Sequence, residues 1–184
     1  MIIERTPGPS FPPRCSSNTH CSSQMVRFKN RWLLVEFLPI PSISQSGAVA
    51  QTIQLNLDGR QIHSVLKQSI LSNYGDIGWG AVALSLSVKY FSPTTNICII
   101  RVGREQHKIV WGALTLLDGL EDMRLIPHVV HVSGTIKHVQ LAAIAHNRTV
   151  IARYRAMANA PVAYQDSYDA YLESSNRDIE SLED

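Results

Sequence analysis

The chain has 184 residues, 45% of them hydrophobic, which is enough for one domain with a real core plus tails. Its formal charge of +2 conceals an asymmetry: residues 25–155 carry 14 Lys and Arg against 7 Asp and Glu, whereas residues 156–184 carry seven acids against one arginine, Arg177. A basic body favours a polyanionic partner, and the lack of an apolar leader, or of any apolar run near the ~20 residues that span a bilayer, argues against secretion and membrane insertion.

In chain order, residues 1–24 hold four prolines and five serines without periodicity and are expected to be a disordered N-terminal extension. A strand follows over residues 26–38, ended by Pro39 and Pro41, and residues 42–56 read as a polar linker. Residues 57–74 are the clearest helix, with Ile62, Val65, Leu66, Ser69 and Ile70 on one face, Asn56 or Asp58 as N-cap and Gly75 as stop. Residues 75–80 (GDIGWG) read as a turn, and residues 81–91 as an alternating strand with Val82, Leu84, Leu86, Val88 and Tyr90 on one face. A hairpin-type turn over residues 92–96 leads to a buried strand, 97–102, then a helix to about 117, a strand over 127–132 and a helix over 135–157. Cys15, Cys21 and Cys98 cannot all pair, and Cys98, inside an apolar run, reads as a reduced, buried thiol suited to a cytosolic or nuclear setting.

This β-α-β-β-α-β order, plus a C-terminal helix, predicts an α+β fold: a ferredoxin-like split βαβ sandwich over residues 25–157. Its antiparallel sheet carries both crossover helices on one face, leaving the other face free for a partner. The acidic tail, residues 158–184, has too few aliphatic residues for a face and is expected to be solvated and disordered, with at most a short helix at its very end. It either screens the basic body as a phosphate mimic or serves solubility.

Three groups of residues are candidates for phosphate contact. Arg27, Lys29 and Arg31 stand at alternate positions on one strand face, spaced roughly 6.6 Å apart, close to phosphate separation along RNA. The competing reading is a charged guard on a sheet edge. Arg101 and Arg104 flank a strand-to-helix junction, where they either meet phosphate or base, or, for Arg101, pair with Glu105 or Glu36. Ser133, Gly134, Thr135 and Lys137 lie at a second such junction, which either receives a phosphate or is a plain helix cap.

Gly75-x-x-Gly78-x-Gly80 follows a helix and precedes a strand, the reverse of a dinucleotide loop, and Trp79 reads as core or partner packing sooner than base stacking. His128 and His131, three apart on a strand, should point to opposite faces and not chelate one ion; with Cys15, His20 and Cys21 too few for zinc, no protein-held metal is expected. The acids of the body are scattered, so no acid/base pair or nucleophile with a base is expected.

Four blocks, MVRFKNRWLLVEF (25–37), QSILSNYGDIGWG (68–80), VKYFSPTTNICIIRVGREQHKIVWGALTLL (88–117) and VHVSGTIKHVQ (130–140), resemble in register the small Pop-five-type protein subunit of ribonuclease P and ribonuclease MRP. The resemblance implies a ferredoxin-like, non-catalytic subunit in the nucleus and nucleolus that binds a catalytic RNA. The magnesium of that RNA removes the 5′ leader of precursor tRNA or cleaves pre-rRNA. The implied partners are the catalytic RNA, precursor tRNA, a TIM-barrel-like subunit and a small sibling subunit of similar fold. Because the resemblance begins at Met25, residues 1–24 are expected to be a dispensable extension or an over-extended start. The rival expectations are a protein–protein adaptor without RNA contact and a metal-dependent nuclease in its own right.

Overall fold

The computed structural model describes residues 29–40, 58–120, 123–158 and 162–183; the expected N-terminal extension, Arg27 and the polar linker lie outside the described residues. The elements are β1 (Asn30–Pro39), α1 (Gly59–Val82), β2 (Ser87–Ser92), β3 (Ile97–Gly103), α2 (His107–Thr115), β4 (Gly119–Leu120), β5 (Met123–Ser133), α3 (Ile136–Ala158) and α4 (Val162–Glu180). The sheet order is β2-β3-β1-β5-β4 with every pair antiparallel. With the two-residue β4 set aside, this is the ferredoxin-like split βαβ arrangement expected from the element order.

β1 is the central strand, and its sequence explains the layers. Leu33, Val35 and Phe37 face one core, joined by Ile62, Leu66 and Ile70 of α1 and Val110, Ala113 and Leu114 of α2. Trp32 and Leu34 face a second core with Ile97 and Ile99 of β3, Val139 and Ala143 of α3, and Ile179 of α4. The crossover helices thus lie on one face as expected, but the other face is not open: α3 and α4 cover it. The unbroken apolar runs Trp32–Val35 and Ile97–Ile100 are each fully buried, as strands covered on both faces must be.

The acidic tail differs from its expectation as well. Residues 162–180 form α4, held by buried Ile179 and by polar hooks. The Tyr171 hydroxyl meets that of Ser92. Tyr90 Oη lies 2.8 Å from Ser175 Oγ, which accepts from Asn147 Nδ2 at 3.0 Å. Gln140 Nε2 donates to the carbonyl oxygens of Ile179 at 2.8 Å and Leu182 at 3.0 Å. Anchoring by side-chain hydrogen bonds leaves no hydrophobic periodicity to read.

α1 is capped at Asp58, whose N–H donates to Gln61 Oε1 at 2.8 Å, and it runs past its expected stop. Gly75 breaks it with φ 65° and ψ −167°, a conformation open essentially to glycine alone, and helix then resumes to Val82. The strand expected from residue 81 therefore begins only at Ser87. Val82 and Leu86 are both buried because a turn, not a strand, joins them, with Leu86 N–H donating to Val82 C=O at 2.9 Å. A register shift between Val88 and Tyr90 turns Tyr90 toward the second core. Cys98 is buried and unpaired, as expected, and burial pushes its thiol above the ordinary value. Among the described residues no helix is long and apolar enough to cross a membrane.

Ile179 is the one fully buried apolar side chain that α4 contributes among the described residues. Ile179→Ala is expected to cost about 2–5 kcal/mol in denaturant unfolding, typical of emptying a core site. A loss under about 0.5 kcal/mol would show that α4 does not belong to the cooperative core.

Candidate nucleic-acid interface

Antiparallel pairing gathers the candidate cations. β1 begins where β3 and β5 end: Asn30 pairs with Gly103 and Trp32 with Ser133. α2 and α3 start just beyond those strand ends, at His107 and Ile136. Lys29, Arg31, Arg101, Arg104, Gly134, Thr135 and Lys137, dispersed over more than a hundred positions, therefore share one end of the sheet. Two helix N-termini, the positive ends of their dipoles, open on the same side.

Local contacts set each cation. The Lys29 carbonyl accepts from the Arg104 N–H at 2.8 Å, which ties the β3–α2 turn to the start of β1. Arg31 lies opposite Val102 at the margin of the first core, so the face that begins as cation continues as Leu33, Val35 and Phe37. Its Nη1 donates to the Asn30 carbonyl at 3.2 Å, and a Cβ on Gly134 would fall 3.1 Å from that same nitrogen. The close approach at Gly134 is thus made by Arg31. Arg101 pairs with neither Glu105 nor Glu36; in the amide orientation that satisfies both groups, Asn30 Oδ1 accepts from its Nε at 3.0 Å and Nη2 at 2.9 Å. Ser133 is buried, with its hydroxyl donating to Thr135 C=O at 3.0 Å and accepting from Thr135 N–H at 3.2 Å, a local turn ahead of α3. Lys29, Arg104, Gly134, Thr135 and Lys137 are exposed. Among the described residues, Lys29, Arg31, Arg101, Arg104 and Lys137 form no ion pair with an acid.

Further along β1, away from this end, the chain brings together groups that the sequence separates. Glu36 Oε1 lies 3.4 Å from His146 Nε2 on α3, and Oε2 lies 4.0 Å from His128 Nδ1 on β5. The register shift of β5 sets His131 opposite Leu34 and His128 opposite Glu36, so the two histidines expected on opposite faces share one. Glu36 and His146 are each 15% exposed. The imidazole of His146 holds the Glu36 carboxyl below its ordinary value against the opposing effect of burial, with the charges of His128 and Arg153 adding to it. Among the described residues no three His, Cys, Asp or Glu side chains converge closely enough to hold a metal ion.

The fold and this end together define a ferredoxin-like α+β sandwich with a cationic margin. Residues 31–144 match the Rpp14/Pop5 family, and the chain belongs to that family. It is 38% identical over 135 residues to the ribonuclease P/MRP protein subunit POP5 of Schizosaccharomyces pombe, covering 69% of this chain and 91% of that one. It is 38% identical over 115 residues to the probable POP5 subunit of Arabidopsis thaliana (61% and 73% covered), and 31% identical over 128 residues to human POP5 (67% and 73% covered). A chain in the cryo-EM structure of yeast ribonuclease MRP superimposes with a TM-score of 0.44 at 13% identity, covering 60% of this chain and 77% of that one; at that level it adds nothing to the family assignment.

The Glu36 pair gives a pH-dependent expectation. A carboxyl with a depressed folded-state value contributes stability above its unfolded value, near 4.5, and loses it as pH falls through the lower folded value. Glu36→Gln should therefore destabilise the protein at neutral pH, and denaturant titrations should show the gap from wild type narrowing below pH 4.5. A gap that stays constant into acid would remove the ion pair as its cause.

Proposed function

We propose that this chain is a non-catalytic protein subunit of the ribonuclease P and MRP particles, and that it binds the catalytic RNA through its cationic end. Family membership supports the assembly, since the relatives are named as subunits of those particles. The observation that carries RNA contact is the convergence of five cations at one end of the sheet with no acid paired to them among the described residues. Unpaired cations neutralise phosphate, displace its counterions and lower the electrostatic cost of folding a compact RNA. The subunit then braces the RNA for 5′-leader removal from precursor tRNA and for pre-rRNA processing. Cleavage belongs to the RNA and its magnesium, and the protein holds no metal of its own. A TIM-barrel-like subunit and a sibling of similar fold are the protein neighbours, in the nucleus and nucleolus.

Reconstituted particles with Arg27, Lys29 and Arg31 all changed to Ala should cleave precursor tRNA poorly at limiting magnesium and recover when magnesium is raised. In direct binding, each lost phosphate contact should flatten the salt slope by about 0.7–0.9. Unchanged cleavage at limiting magnesium would remove the role given to these cations, and an adaptor would show an unchanged slope.

A Cβ at Gly134 would crowd the end of the Arg31 side chain, which must shift by a few tenths of an ångström to admit it. Gly134→Ala should therefore weaken RNA binding less than Arg31→Ala does, and the double variant should be no weaker than Arg31→Ala alone. Additive losses in the binding cycle would show that Gly134 acts independently of Arg31.

A further inference from the structure

The cationic end contains a groove of about 770 Å³ whose lining mixes apolar and cationic residues. Leu84, at the exit of α1, and the largely buried Leu86 line it with apolar surface, while Lys29, Arg101 and Arg104 line it with charge and Glu105 is the single acid on the lining. Cations alone would suit any phosphate chain, so the apolar lining is the informative part.

Leu84 is 101% exposed, in the turn between α1 and β2. It contributes nothing to either core. Arg101 is half-buried, and Asn30 fixes its guanidinium at two nitrogens, which sets the plane of the group in advance. A fixed guanidinium plane and an aliphatic surface are the surfaces on which an unstacked base packs. Lys29 and Arg104, tied together through the backbone and free of acidic partners among the described residues, line the same groove and can take the flanking phosphates. A continuous duplex hides its base faces and would leave Leu84 in water. The volume lies within the range of sites that enclose a small ligand.

We infer that this groove receives one unpaired RNA nucleotide, its base packed on Leu84 and the Arg101 guanidinium and its phosphates on Lys29 and Arg104. The inference rests on the RNA-binding reading above and names the form of RNA that this end selects.

The test uses the full-length protein and three RNA hairpins of one sequence: fully paired, with a single-nucleotide bulge, and with that bulge made abasic. Wild type should bind the bulged hairpin about fivefold or more tightly than the abasic one. Leu84→Ser, a change at an exposed position, should abolish that preference while leaving paired-hairpin binding and its salt slope unchanged. Equal affinity of wild type for bulged and abasic hairpins would overturn the proposal. So would a Leu84→Ser loss that is equal across all three RNAs, or no loss at all, the result expected if Leu84 instead meets a protein. Either outcome leaves RNA binding standing; failure of wild type to bind any hairpin, even at low salt, would instead sink the underlying reading.

Discussion

The structure depends on one strand having two buried faces. Trp32, Leu33, Leu34 and Val35 are each fully covered, so β1 cannot carry charge along its middle without stranding it between two cores. Charge is confined to the margins of the strand. Lys29 and Arg31 occupy the start, where the sheet meets solvent, and Glu36 sits further along, where two histidines and Arg153 compensate it. The cationic end is the solvated margin of a strand whose interior admits no ion.

Topology then multiplies that margin. Because β3 and β5 both run antiparallel to β1, their last residues lie beside its first; Arg101 near the end of β3, Arg104 and Gly134 in the turns that follow β3 and β5, and Lys137 in the first turn of α3 thus come to the same place. α2 and α3 begin there and contribute positive dipole ends, while α1 finishes there and contributes its apolar exit turn with Leu84. The mixture of cation and exposed leucine follows from which elements start and which one stops at this end.

The element order and the cations were legible in the sequence because each rests on a local pattern: alternation in β1, helical spacing in α1, basic residues near strand ends. What escaped the pattern is physical in kind. The second core was concealed because the residues that complete it come from α3 and α4: Trp32, Leu34, Ile97 and Ile99 mark an apolar second face, but nothing in their spacing says whether a partner or this chain's own helices cover it. Helix α4 was concealed because Tyr171, Ser175 and the Gln140 contacts hold it through hydrogen bonds that carry no hydropathy signal. The late start of β2 and the shared face of His128 and His131 both follow from departures of register and turn geometry that alternation cannot express. The approach of Arg31 to Gly134 and the bond of Arg101 to Asn30 are set by how the strand ends meet, and no spacing rule points to them.

The placement of α4 sharpens the role of the cationic end. Tyr171 meets Ser92 and Thr95 at the far end of the sheet, Ser175 meets Tyr90 midway, and the carbonyls of Ile179 and Leu182 meet Gln140 in the opening turns of α3. The acidic helix therefore runs antiparallel to α3, and its last residues, with Asp178, Glu180 and Glu183, arrive beside the start of α3. Opposed dipoles favour this pairing. The same pairing makes the cationic end uneven in charge: the α3 side lies beside Asp178, Glu180 and Glu183, whereas the groove with Lys29, Arg101 and Arg104 has Glu105 as its single acid. On the proposed reading, a phosphate chain meets cations across this whole end and is held more strongly on the side with fewer acids, where the groove with Leu84 opens.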